Sequence, residues 1–95
     1  MDLGIKGRVA IVTGGSRGIG RETARQFLEE GVRVMISGRN AETIQKTRDE
    51  LAKQTGGDIK CVVADMTKEA DIKKLVDETV KQFGTVDILV NNAGQ

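Results

Sequence analysis

The sequence predicts an α/β fold built on a doubly wound parallel sheet. Three observations carry this expectation. Short, β-branched apolar runs recur along the chain. Longer segments with a 3.6-residue apolar period lie between them. Glycines fall where one kind of segment gives way to the other. Strands that alternate with helices pair in parallel, because each crossover helix returns the chain to the same end of the sheet. Right-handed crossovers then give the strand order 3-2-1-4.

Arg8-Val-Ala-Ile-Val-Thr13 reads as a short buried strand. The first helix runs from Gly18 to about Glu30, with Ile19, Thr23, Ala24, Phe27 and Leu28 on one face. Gly31 is placed to end it as a left-handed C′ residue. Val32–Ser37 forms the second strand. Asn40 is placed to cap a helix over Ala41–Gln54, which Gly56-Gly57 stops. Ile59–Ala64 is the third strand. Thr67 is the expected cap of a helix from Lys68 to Phe83. Ile72, Leu75, Val76, Thr79, Val80 and Phe83 form its apolar stripe, and Gly84 closes it. Val86–Val90 is the fourth strand, at the exposed edge of the sheet, where unpaired backbone invites association.

Composition excludes several kinds of chemistry. Fifteen basic against fourteen acidic residues leave a formal charge of +1, so no whole-chain bias points to nucleic acid or an acidic partner. No apolar run approaches the ~20 residues of a membrane span, and the start lacks the pattern of a signal peptide. A soluble, cytoplasmic chain is expected. The single cysteine, Cys61, leaves no internal disulfide or cysteine-based zinc site, and reads as a small core residue. His, Tyr, Trp and Pro are absent from the sequence. Imidazole and tyrosine chemistry therefore have no source within these residues, and no metal site is expected. Phe27 and Phe83 are too few aromatics for a base-stacking platform.

Thr13-Gly14-Gly15-Ser16-Arg17-Gly18-Ile19-Gly20 joins the first strand to the first helix. Gly14 suits a tight turn off the strand. Gly18 suits close approach of a pyrophosphate to the backbone, and Gly20 suits close helix–strand packing. A helix N-terminus adds unpaired N–H groups and about half a positive charge. A plain glycine-rich turn would share the spacing, but placement inside a strand–turn–helix unit favours phosphate binding. A P-loop is excluded, since Arg21-Glu22 follow Gly20 where Lys and Ser/Thr would stand. The span 1–95 thus reads as the N-terminal part of a Rossmann-type dinucleotide-binding domain, with the domain incomplete.

Three features in this order resemble the short-chain dehydrogenase/reductase family. They are Thr13-Gly14-x-x-x-Gly18-x-Gly20, Asp65 after the third strand, and Asn91-Asn92-Ala93-Gly94 after the fourth. The wording of Val12–Arg21 is most similar to its 3-oxoacyl-carrier-protein reductase and glucose dehydrogenase branches. The resemblance implies NAD(P)-dependent hydride transfer between an alcohol and a carbonyl. It also implies that Gly14, Ser16, Arg17, Gly18, Ile19 and Gly20 wrap the pyrophosphate and adenosine ribose. Asp65 would hold the adenine amino group with Met66 beside it. Asn92, Ala93 and Gly94 would line the adenosine side of the cleft, and Asn91 would tie neighbouring strands together. The bland alternatives are a helix-entry acid for Asp65 and an ordinary turn for the asparagines.

An acid at the end of the second strand would bind a ribose 2′-OH and repel a 2′-phosphate. Gly38 stands there, followed by Arg39, with Arg17 in the glycine loop. Two guanidiniums suit a phosphate, so NADP(H) is expected over NAD(H). The family's catalytic Ser and Tyr-x-x-x-Lys would lie beyond residue 95, so the 95 residues contain no expected catalytic residue. The favoured reading is the NADP(H)-binding portion of a longer, homo-oligomeric oxidoreductase acting on a small alcohol or carbonyl. The alternative is a natural 95-residue module, without catalysis, that binds a nucleotide or pairs with a partner.

Overall fold

The computed structural model describes residues 4–92. Four strands, β1 (Val9–Thr13), β2 (Arg33–Gly38), β3 (Ile59–Val63) and β4 (Ile88–Asn91), alternate with α1 (Gly18–Glu29), α2 (Ala41–Thr55) and α3 (Glu69–Phe83). All strand pairs are parallel and the order is β3-β2-β1-β4, as the crossover rule requires. Ile11 is the register centre, opposite Met35 on one side and Leu89 on the other.

The sheet divides the core by strand parity. Ala10, Val12, Val34 and Ile36 face α1 and α2, where Ala24, Leu28, Ile44 and Leu51 meet them. Val9, Ile11 and Met35 face α3, against Leu75 and Phe83. β1 is fully buried on both faces, which explains its unbroken apolar run.

Helix ends follow the sequence closely at both ends of α2 and at the glycine stops of α1 and α3. The Asn40 side chain accepts the Thr43 N–H at 2.9 Å, and Gly56 takes a left-handed φ of 70° after α2. α3 departs from expectation. Its N-cap position is Lys68, which makes no side-chain cap, and Thr67 is not the cap. The Thr67 hydroxyl instead donates to Asp65 Oδ1 at 2.7 Å. The turn is held from the other direction, since Asp71 in the first turn of α3 accepts the Asp65 N–H at 2.7 Å.

Two apolar stripes are narrower than periodicity suggests. Ile19 is 75% exposed, so α1 buries only Gly20, Ala24 and Leu28. On α3 the stripe splits. Leu75, Thr79 and Phe83 are buried, while Ile72, Val76 and Val80 remain exposed. Leu89 of β4, on the same side of the sheet, is 61% exposed. Cys61 is half-buried rather than a full core residue, with Sγ 3.5 Å from Gln45 Oε1; burial pushes its thiol pKa up.

At the lower edge, Asp87 completes the β1–β4 ladder. Its N–H donates to the Val9 carbonyl, and its carboxylate accepts the Val9 N–H, both at 2.9 Å. Val9 has no exposed surface, so its N–H has no recourse to water. Asp87→Ala is expected to cost about 1–3 kcal/mol by leaving that donor unpaired, while Asp87→Asn keeps an acceptor and costs less. Urea unfolding of the two variants checks the order; equal losses would mean that the carboxylate is not the partner that matters.

Candidate functional site

The turn after β1 is shaped by four glycines. Gly14 and Gly18 have φ values of 65° and 61°, in the left-handed region that side chains avoid. Gly20 is fixed by packing. A Cβ there would overlap the Gly14 carbonyl oxygen and lie 2.8 Å from Asn92 Nδ2. Gly15, which spacing did not single out, is equally constrained. Its Cβ would lie 2.8 Å from Ile36 Cγ2, and its N–H donates to the Ser37 carbonyl at 3.2 Å. No sequence pattern reveals that contact, because Ile36 is 21 positions away and meets Gly15 only once β2 pairs with β1.

α1 begins without a cap. Arg17, at the N-cap position, makes no side-chain cap bond, and the first turn carries no acid. The turn N–H groups of such an end lack intrahelical acceptors. α2 is capped by Asn40, so the difference is local to the glycine turn. A Cβ on Gly18 would meet nothing within 4 Å, so the approach to the start of α1 is open.

The ends of β1 and β4 are tied by one hydroxyl. Thr13 Oγ1 donates to Asn91 Oδ1 at 3.0 Å and accepts the Asn92 N–H at 2.8 Å. Asn91 therefore joins neighbouring strands, while Asn92 is carried over Gly20. The loop is also held from α2, where the Thr47 hydroxyl donates to the Ser16 carbonyl at 3.1 Å.

These constraints open a cleft of about 670 Å³ at the carboxyl ends of β1, β2, β3 and β4. Gly14, Ser16, Arg17, Gly18, Ile19, Arg39, Asp65, Met66 and Asn92 all line it. Gly20 lies behind the lining, where it sets the helix position. Ala93 and Gly94 lie outside the described residues. Ser37, Thr43 and Ala64 also line the cleft, although the sequence reading did not single them out for the site. Small or neutral residues carry no motif; strand pairing brings Ser37 and Ala64 here, and the Asn40-capped first turn of α2 brings Thr43.

Asp65 has a lowered carboxyl pKa. The Thr67 hydroxyl and N–H both donate to it, with Lys68 and Arg39 adding attraction, and together these hold its carboxyl below the usual range. It is an acceptor at neutral pH. Oδ1 takes both Thr67 bonds. Among the described residues no group of His, Cys, Asp and Glu could hold a metal ion, and no helix is long and apolar enough to cross a membrane.

Comparison with known proteins agrees with this geometry. The family model for short chain dehydrogenases matches residues 8–95. Glucose 1-dehydrogenase from Gluconobacter oxydans is 43% identical over 93% of this chain and 33% of its own length. An NADP-dependent (R)-specific alcohol dehydrogenase from Lentilactobacillus kefiri is 48% identical over 95% of this chain and 35% of its own. Among solved structures, L-sorbose reductase from Gluconobacter frateurii, in complex with NADPH and L-sorbose, superposes with a TM-score of 0.95 at 35% identity. That match covers 100% of this chain and 36% of the reductase. The chain thus spans about a third of the length of the curated relatives it matches. Its sheet order, glycine turn and strand-end asparagines place it with them, and the chain belongs to the short chain dehydrogenase family.

Proposed function

We propose that residues 1–95 are the NADP(H)-binding portion of an oxidoreductase that moves hydride between the cofactor and a small alcohol or carbonyl compound. The uncapped N-terminus of α1 carries this reading. It opens through Gly18, where backbone conformation demands glycine and nothing fills the space a side chain would take. Unpaired N–H groups and the positive end of the helix suit a pyrophosphate there. The fit extends along the cleft. Arg17 and Arg39 would hold a 2′-phosphate through charge-assisted bonds. Asp65 would accept a hydrogen bond from the adenine amino group, with Met66 beside it. Asn92, and by resemblance Ala93 and Gly94, would border the adenosine. A nicotinamide cofactor supplies the hydride when bound.

This chain's own contribution is to bind and orient. The tyrosine acid that the family resemblance implies has no counterpart among these residues, which include no Tyr. The preference for NADP(H) rests on Gly38 and Arg39, where an acid would favour a free 2′-OH. Two relatives are consistent with it: the Lentilactobacillus enzyme is named NADP-dependent, and the sorbose reductase holds NADPH.

Arg39→Ala is expected to weaken NADPH binding more than tenfold and to leave NADH binding nearly unchanged, measured by fluorescence titration. Equal losses for the two cofactors would remove the 2′-phosphate from Arg39.

Association with a second copy is proposed as well. Ile72, Val76 and Val80 of α3 and Leu89 of β4 expose apolar surface on one side of the sheet, beside an open strand edge. The 95-residue chain is expected to self-associate in light scattering. Val76→Lys combined with Leu89→Lys should shift it toward monomer. A monodisperse wild-type monomer would end this proposal.

A further inference from the structure

Among the described residues, Ser37 carries a buried side-chain oxygen that neither the sheet nor the core satisfies. It is 1% exposed, at the end of β2. Among the described residues, its Oγ is buried without a hydrogen-bond partner. Its backbone is well accommodated, with the carbonyl accepting the Gly15 N–H. The deficiency is confined to the hydroxyl.

The register explains why the sheet does not satisfy it. Ser37 stands between Thr13 of β1 and Val62 of β3. Val62 offers no polar side-chain atom. The Thr13 hydroxyl is committed to Asn91 and Asn92 on the far side. By strand parity Ser37 shares a face with Met35, which packs among Ile11, Ala64 and Leu75, all apolar. An alanine would lose nothing in such surroundings, and a buried hydroxyl left unpaired weakens the fold. Yet Ser37 also lines the cleft, alongside Ala64 and Asp65.

We infer that the Ser37 hydroxyl is a polar contact for the adenosine moiety of the bound dinucleotide. The inference rests on the NADP(H) reading above and deepens it. Position selects the moiety. Arg39, two residues further along the chain, is the proposed 2′-phosphate ligand. Asp65, at the exit of the neighbouring strand, is the proposed partner of the adenine amino group. Ser37 lies on the strand that leads to the first and beside the strand that leads to the second. A hydroxyl both donates and accepts, so it can serve a ring nitrogen or a ribose oxygen. The hydroxyl then stays unpaired in the free chain and gains its partner with the nucleotide.

The test uses calorimetric titration of the chain with NADPH, adenosine 2′,5′-bisphosphate and reduced nicotinamide mononucleotide, together with urea unfolding of the ligand-free chain. Ser37→Ala should weaken both adenosine-bearing ligands by about three- to tenfold, the range of one neutral hydrogen bond. It should leave the mononucleotide unaffected and raise the urea midpoint of the free chain. Ser37→Cys, a weaker donor, should fall between wild type and alanine. Unchanged affinity for the bisphosphate in Ser37→Ala would overturn the inference and leave the cofactor reading standing. Equal weakening of all three ligands, or a lowered urea midpoint, would make the hydroxyl structural and also overturn it. A wild-type chain that binds neither adenosine ligand would overturn both readings.

Discussion

The close approach of α1 to the end of β1 is the constraint on which the rest depends. Gly20 presses against the Gly14 carbonyl so tightly that no side chain fits between them. That contact fixes the start of α1 directly over the strand, and so aims the helix end at the cleft. It also leaves room for Asn92 to lie over the same point, where the Thr13 hydroxyl holds its backbone. Gly15 repeats the logic on the opposite flank, against Ile36 of β2. Three strands are thus registered around one turn by the absence of side chains. A single added methyl group would have to displace backbone in one case and a buried isoleucine in the other.

Most of the architecture was legible because it depends on periodicity and punctuation. The four apolar runs, the Asn40 cap and the glycine stops after α1, α2 and α3 are local signals, and the structure keeps them. The departures in the apolar stripes have one cause in common. Apolar period tells which residues share a helix face, and says nothing about whether a neighbour covers that face. Ile72, Val76 and Val80 belong to the α3 stripe, but the helix rests on β1 and β2 through Leu75 and Phe83 and leaves them bare. Ile19 follows the α1 period and faces the cleft instead of the core. Thr67 has the residue type of an N-cap. Asp65 takes its hydroxyl, because the aspartate lies two positions back in a tight turn and the geometry closes there first.

The candidate site divides along the same line. Gly14, Gly18, Arg17, Arg39 and Asp65 could be found by spacing, because their chemistry is carried by residue type at a strand end. Ser37 and Gly15 could not. Each matters through a neighbour distant in sequence: the polar partner that Ser37 lacks, and the isoleucine against which Gly15 packs.

Charge shows how little the whole chain reveals about the site. A formal charge of +1 gives no hint of anion binding. Many of the cations are spent on helix surfaces, as in the exposed pairs Arg25–Glu22, Lys73–Asp77 and Arg21–Glu50, whose energetic weight is small. Arg17 and Arg39 line the cleft. Arg17 stands at the uncapped start of α1, while Arg39 follows β2 and attracts Asp65 within the same cleft. Under the proposed function, Gly38 leaves the end of β2 without a carboxylate beside the cofactor ribose. A Cβ at Gly38 would lie 3.3 Å from Ile44 Cδ1, so a side chain there asks the end of the buried isoleucine to give slightly. Under the proposed NADP(H) reading, an acid at the end of β2 would meet two demands at once, the repulsion of a 2′-phosphate and a small shift of the α2 residue Ile44.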